Sequence, residues 1–292
     1  MQVGIYRFPV YAGLALIVAG AVAGCAASSS TGGGSSTSAA ASPLTEVKLA
    51  AQKATKADSF TGTMSMKMAA APGASSTTGL TGDLSMTARF TEQLHPSLLA
   101  DVNIESLAAA GTTMPGGIEE IVTPTGFYMK WSYLTQALHL TKPWVAVSFS
   151  SLSKTSGVDL SQLLNQATSN SPLTQTQLFA NANSVRKVGT GTIDGVPVTE
   201  YTGTVPMGKA VSRLSGTLKT QVQQQMKKIG FSTEKFTVWI DDQNLTRKAI
   251  ISVDGTSLSE TMSMTITSIN QPVKITPPPA SETSPLPADA LG

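Results

Sequence analysis

With two histidines and one cysteine in 292 residues, the chain has few ligands for a transition metal and few groups for acid–base work. His95 and His139 lie in different segments and read as structural or surface residues. Asp241, Asp242 and Asn244 place three oxygen-bearing side chains within four residues. The spaced ligands of a calcium loop are missing, and a tight turn between strands accounts for them. Gly189-Thr190-Gly191 is glycine-rich but precedes a hairpin instead of opening a helix, so a phosphate would find no helix N-terminus there. Neither a Gly-x-Ser-x-Gly elbow nor a His-Glu-x-x-His pair occurs. Lys and Arg number 20 against 18 Asp and Glu, a net charge of +2, which leaves no basic surplus to neutralise a run of phosphates. The chain reads as a non-enzyme with no catalytic residue, metal or cofactor, and nucleic acid is excluded as a partner.

Cys25 is the one residue whose setting points to a definite modification. Arg7, the apolar run from Val10 to Ala19 and the small residues after it have the layout of a secretory signal peptide. The run is shorter than the roughly 20 residues a spanning helix needs, and it ends at Val22-Ala23-Gly24-Cys25. That tetrad resembles the bacterial lipobox, with Val22 where leucine is usual. The resemblance implies cleavage before Cys25 and a diacylglycerol on its sulfur. One acyl chain holds a protein to a membrane only marginally and two or more hold it firmly. Residues 1–24 are therefore expected to be a leader and Cys25 a lipid anchor on the extracytoplasmic face of the cell membrane. Residues 25–41, almost all Ser, Gly, Ala and Thr, read as a flexible tether. Pro277, Pro278, Pro279, Pro285 and Pro287 make 277–292 a non-helical, non-sheet tail, and both flanking segments are expected to be dispensable for folding. The folded domain then spans 42–276.

Within it, strict alternation is the clearest signal. Phe60, Gly62, Met64, Met66 and Met68 share one face of a strand, and Leu80 to Phe90 repeat the pattern across a loop around Pro72 and Gly73. Leu98–Ile104, Ile118–Thr123 and Phe127–Trp131 continue the series. Val185–Ile193 and Val196–Val205 flank Asp194-Gly195, a strong hairpin signal. Glu234–Ile240, Leu245–Val253 and Leu258–Ile269 form a closing meander. Helical spacing predicts Leu44–Ala57 behind Pro43, one or two short helices over Val158–Ala180, and a long helix from Met207 to Ile229 that Gly230 stops. The sum is an α+β fold, one curved antiparallel sheet with helices against its inner face.

The inner face poses a choice. Met64, Met66, Leu84, Met86, Val102 and Ile104 face the stripe that includes Leu214, Leu218 and Val222. These residues are either a solid core or the lining of a lipid cavity, for which adaptable methionine is suited.

The order of several segments bears on that choice. The lipobox and tether, Phe60-Thr61-Gly62-Thr63, Lys142-Pro143-Trp144-Val145, Tyr201-Thr202-Gly203-Thr204 and Phe236 to Leu245 before Pro277-Pro278-Pro279 together resemble the LppX/LprG type of actinobacterial lipoprotein, which shares an architecture with LolA and LolB. The resemblance covers most of the mature chain. It implies a half-barrel sheet with helices on its concave face, enclosing an apolar cavity that holds acyl chains. It also implies an acylated lipid or glycolipid of the envelope as ligand and a possible envelope transporter as partner. The alternative is an envelope protein-interaction or sensor module that uses the same fold without carrying lipid.

Overall fold

The computed structural model describes residues 42–70, 82–95, 97–109, 112–113, 117–151, 176–212, 223–224, 226–227 and 229–287. Cys25, the leader and the tether lie outside the described residues, as do Leu214, Leu218 and Val222. Among the described residues, thirteen strands form a single open sheet that is antiparallel except at one edge.

The chain enters through helix α1, Pro43–Ala54. The Ser42 hydroxyl accepts from the Thr45 amide at 3.2 Å, and Pro43 sits at the first helical position, where no amide hydrogen is needed. Val47, Ala50, Ala51 and Ala54 form its buried stripe. Three of these four are alanines, so the helix axis can lie close to the sheet. At the far end, Lys53 Nζ donates to the Gln243 carbonyl and ties the helix to a turn on the sheet's rim.

Strands β1 (Ser59–Ala70), β2 (Leu84–Gln93) and β3 (Leu99–Ala109) follow. Short β4 (Thr112–Thr113) pairs only with β3, and β5 (Ile118–Thr123) and β6 (Gly126–Lys130) extend the meander. After the short helix α2 (Ser132–Ala137) comes β7 (Trp144–Ser148). In the second half, β8 (Ser184–Ile193), β9 (Val196–Pro206), β10 (Thr233–Asp241), β11 (Thr246–Asp254) and β12 (Leu258–Ile269) form another meander. The two halves join because β1 pairs with β12, with Met64 opposite Met264. The expected hairpin at Asp194-Gly195 is present: both residues have positive φ, 48° and 80°, the geometry of a type I′ turn.

Two of the expected helical segments are described only in part, and one terminal segment differs from expectation. Within Val158–Ala180, the described part is a 3-10 helix, Thr176–Asn181, and residues 152–175 lie outside the described residues. Its Phe179 is fully buried and stacks on Phe236 with ring centroids 4.2 Å apart. Of the long helix, α3 (Met207–Ser212) is described at its start. At its end Gly230, with φ 79°, places its amide on the Met226 carbonyl at 2.8 Å, the expected stop.

The difference corrects the reading of 277–292 as a tail without sheet structure. Thr283–Pro285 is strand β13, parallel to Trp144–Ala146 of β7. The prolines do not prevent this because an edge strand needs its hydrogen bonds on one side only. Lys142 Nζ donates to the Ala280 and Thr283 carbonyls at 3.0 and 2.9 Å, and the Leu286 amide donates to Ala146. Just upstream, Ile275 is buried with Ile121 and Trp144 on the sheet face opposite α1. Deleting residues 277–292 is therefore expected to lower the melting temperature by several degrees, which thermal unfolding monitored by circular dichroism would check. An unchanged melting temperature would mean that the edge strand adds nothing to the sheet.

Candidate functional site

The helix-bearing face of the sheet divides into two apolar regions. In the first, the buried stripe of α1 joins one cluster with Phe60, Phe90, Val238, Ile240, Ala249, Met264 and Ile266, and Phe60 meets Phe90 edge-on at 5.6 Å. The second comprises Met66, Met86, Ala88, Ile104, Leu107, Ile118 and Met129, with Met64, Met68, Leu84, Val102, Phe127, Trp131 and Leu134 packed against it. Its described members come from the strands and from the start of α2, and none from α1.

Cross-strand register explains why these side chains meet. Met66 stands opposite Met86 on one side and Met262 on the other, Met64 opposite Ala88 and Met264, and Met68 opposite Leu84. Ala88 in turn faces Ile104, and Phe90 faces Val102. Since partners directly across an antiparallel pair point to the same face, one row of inward residues on β1 fixes the rows on β2, β3 and β12. All six strand residues singled out from the sequence thus fall in one cluster: Met66, Met86 and Ile104 buried, Met64, Leu84 and Val102 half-buried.

Four polar groups that sequence reasoning did not single out share this face. Glu120, only 4% exposed, stands between Val102 of β3 and Met129 of β6, and its Oε1 has no hydrogen-bond partner among the described residues. Trp131 Nε1 is likewise buried without a partner among them. Glu234 and Glu260 flank Val253 from β10 and β12, and Glu234 Oε1 also lacks a partner among the described residues. Burial disfavours the charged carboxylate. It pushes Glu120, Glu234 and Glu260 up to about 7, with the charge of Glu260 adding to the shift at Glu234. The signal for them was present in the alternation. Glu120 is in phase with Ile118 and Val122, Glu234 with Phe236 and Val238, and Glu260 with Met262 and Met264.

Residues that hinted at other chemistry have structural roles. Asp241 is buried: its Oδ1 accepts from the Gln243 and Leu245 amides at 2.9 and 2.8 Å, and its Oδ2 from Arg247 Nε at 2.7 Å. Both oxygens are thereby committed to holding the β10–β11 turn. His95 and His139 are exposed. Among the described residues no group of three or more His, Cys, Asp or Glu side chains could hold a metal ion, and no helix is long and apolar enough to cross a membrane.

The described residues define an open, almost wholly antiparallel sheet with a methionine-rich apolar face carrying neutralisable carboxyls. Comparison with known proteins finds no matching family model. An uncharacterized 31.2 kDa protein from the rplA-rplJ intergenic region of Streptomyces griseus is 25% identical over 107 residues, 36% of this chain and 35% of that protein. The match thus spans about a third of that relative's length. Similar solved structures include LprF from Mycobacterium bovis, with a TM-score of 0.47 and 16% identity, covering 81% of this chain and 96% of that one. The Mycobacterium tuberculosis lipoprotein LppX gives 0.41 and 19%, covering 80% and 98%. A putative outer membrane lipoprotein-sorting protein domain from Vibrio parahaemolyticus gives 0.25 and 7%, covering 77% and 92%. LprF and LppX are of the lipoprotein type that the order of sequence motifs resembles.

Proposed function

We propose that this chain is a lipoprotein anchored through Cys25 to the extracytoplasmic face of the cell membrane, and that it binds and carries acylated lipids or glycolipids of the envelope. The acyl chains lie against the methionine-rich face of the sheet. The observation that carries this reading is the second apolar region, built on Met64, Met66, Met68, Met86 and Met129. Burying hydrocarbon there contributes roughly 25 cal/mol per Å² of apolar surface removed from water, and unbranched methionines adapt to chains of varied shape. No step of chemistry is required of the protein.

The test is titration of the delipidated protein with a fluorescent fatty acid or a diacylated glycolipid, in parallel with thermal unfolding. Delipidation is needed because bound lipid raises apparent stability by mass action. The parent is expected to bind saturably. Met66→Trp and Met86→Trp are expected to fill the space, reducing binding at least tenfold while the ligand-free melting temperature changes little. Strong destabilisation by both, the ~1–3 kcal/mol of an overpacked core, together with no saturable binding by the parent, would leave a packed domain that acts through its surface, as an interaction or sensor module does.

A further inference from the structure

Glu120 and Trp131 interrupt an otherwise apolar wall. Register puts Glu120 opposite Met129 and Glu119 opposite Lys130. Trp131, the next residue, is extended at φ −151°, ψ 114°. Alternation therefore sends Glu120, Met129 and Trp131 to one face, and Met129 and Trp131 belong to the same apolar cluster. On that face an acceptor, Glu120 Oε1, and a donor, Trp131 Nε1–H, are both buried and both without a partner among the described residues. Buried polar groups are nearly always paired, and leaving two of them open on the same apolar wall is costly. A saturated hydrocarbon cannot relieve either. A hydroxyl group has the chemistry to serve both, a donor for the carboxyl oxygen and an acceptor for the indole N–H.

We infer that Glu120 and Trp131 form a polar notch in the ligand face that selects lipids whose acyl chain bears a hydroxyl group. This rests on the lipid-binding reading and narrows it to a class of ligand. The notch keeps its function over a wide pH range, because burial holds Glu120 up to about 7: neutral, the carboxyl can both donate and accept, and ionised, it accepts more strongly. The surrounding Val102, Met129 and Ile118 exclude competing water, which raises the discrimination between a chain that satisfies the notch and one that leaves it open.

Methyl esters separate this hydroxyl from a lipid's own acid group, since an ester only accepts. Methyl 12-hydroxystearate and methyl stearate are used to displace a fluorescent fatty acid from the delipidated protein. The parent is expected to favour the hydroxylated ester by about tenfold, a hydrogen bond's worth of binding on each side. Trp131→Phe, which keeps a ring but removes the N–H, and Glu120→Leu, which removes the carboxyl, are each expected to bring the ratio down to about threefold or less. Methyl stearate should bind both variants at least as well as the parent. Should Glu120→Leu fail to fold, Trp131→Phe alone decides. Equal, saturable binding of the two esters by the parent would overturn the notch and leave lipid binding intact. An unchanged preference in the variants would also overturn it, by placing the hydroxyl elsewhere. Failure of both esters to displace the probe, or of the probe to bind at all, would remove the lipid reading itself.

Discussion

Gly62→Ala lowers the melting temperature by roughly 6–12 °C, corresponding to about 3 kcal/mol, whereas Gly191→Ala leaves it within about 2 °C. A Cβ at position 62 would stand 2.2 Å from the Thr265 carbonyl oxygen and 2.7 Å from Phe90 Cζ. The first contact is with backbone of β12, which cannot rotate away as a side chain would. The second is with a ring held edge-on against Phe60. The site lies at a register shift between Thr61 and Gly62, where β1 and β12 already depart from regular pairing. Gly191, on edge strand β8, has nothing within 4 Å of its would-be Cβ. Paired thermal melts check the contrast. Equal melting temperatures for the two variants would show that β12 can draw away from β1 without penalty.

The second large effect is a loss of stability as the pH rises from about 5 to 8. Glu120 and Glu234 are held up to about 7 in the folded chain, against an ordinary carboxylate value near 4.5. Between those values the folded state keeps protons that the unfolded chain has released. Protonation therefore favours folding, and its contribution is complete below about 4.5 and is lost as the pH climbs through about 7. At about 1.4 kcal/mol per pKa unit, two such groups amount to several kcal/mol, enough to lower the melting temperature by roughly 10 °C or more between pH 5 and pH 8. Half-buried Glu260 acts in the same direction. Glu120→Gln and Glu234→Gln should each flatten the profile. A profile that is level, or that rises with pH, would show that these carboxyls are hydrated in the folded protein.

The strands were legible because alternation is a local signal. Ile118–Thr123 and Leu258–Ile269 were located to the residue, and Met64, Met66, Leu84, Met86, Val102 and Ile104 were placed on one face before any register was known. Two kinds of feature escaped. Strand β13 has only three residues, one of them a proline, so nothing in its own sequence marks it. Its pairing with Trp144–Ala146 depends on a tertiary partner more than 130 residues away. Glu120, Glu234 and Glu260 were passed over because a charged side chain in a strand is ordinarily read as solvent-facing, although each is in phase with buried neighbours. Reading the phase before the residue type would have found all three.

The junction of β1 with β12 bears on the order of events in folding. Met64 and Met264, opposite one another, are 200 residues apart in the chain. While the protein is being synthesised, β1 can pair with β2 as soon as that hairpin emerges, but its other edge stays open until almost the whole chain has appeared. That edge carries Thr61, Thr63, Ser65 and Lys67 alternating with methionines, a long ribbon of unpaired amides that another nascent chain could occupy. Distant pairings of this kind are also slow to find. The last long strand to be made is thus the one that closes the molecule's centre, and until it arrives the N-terminal half is a sheet with a sticky margin.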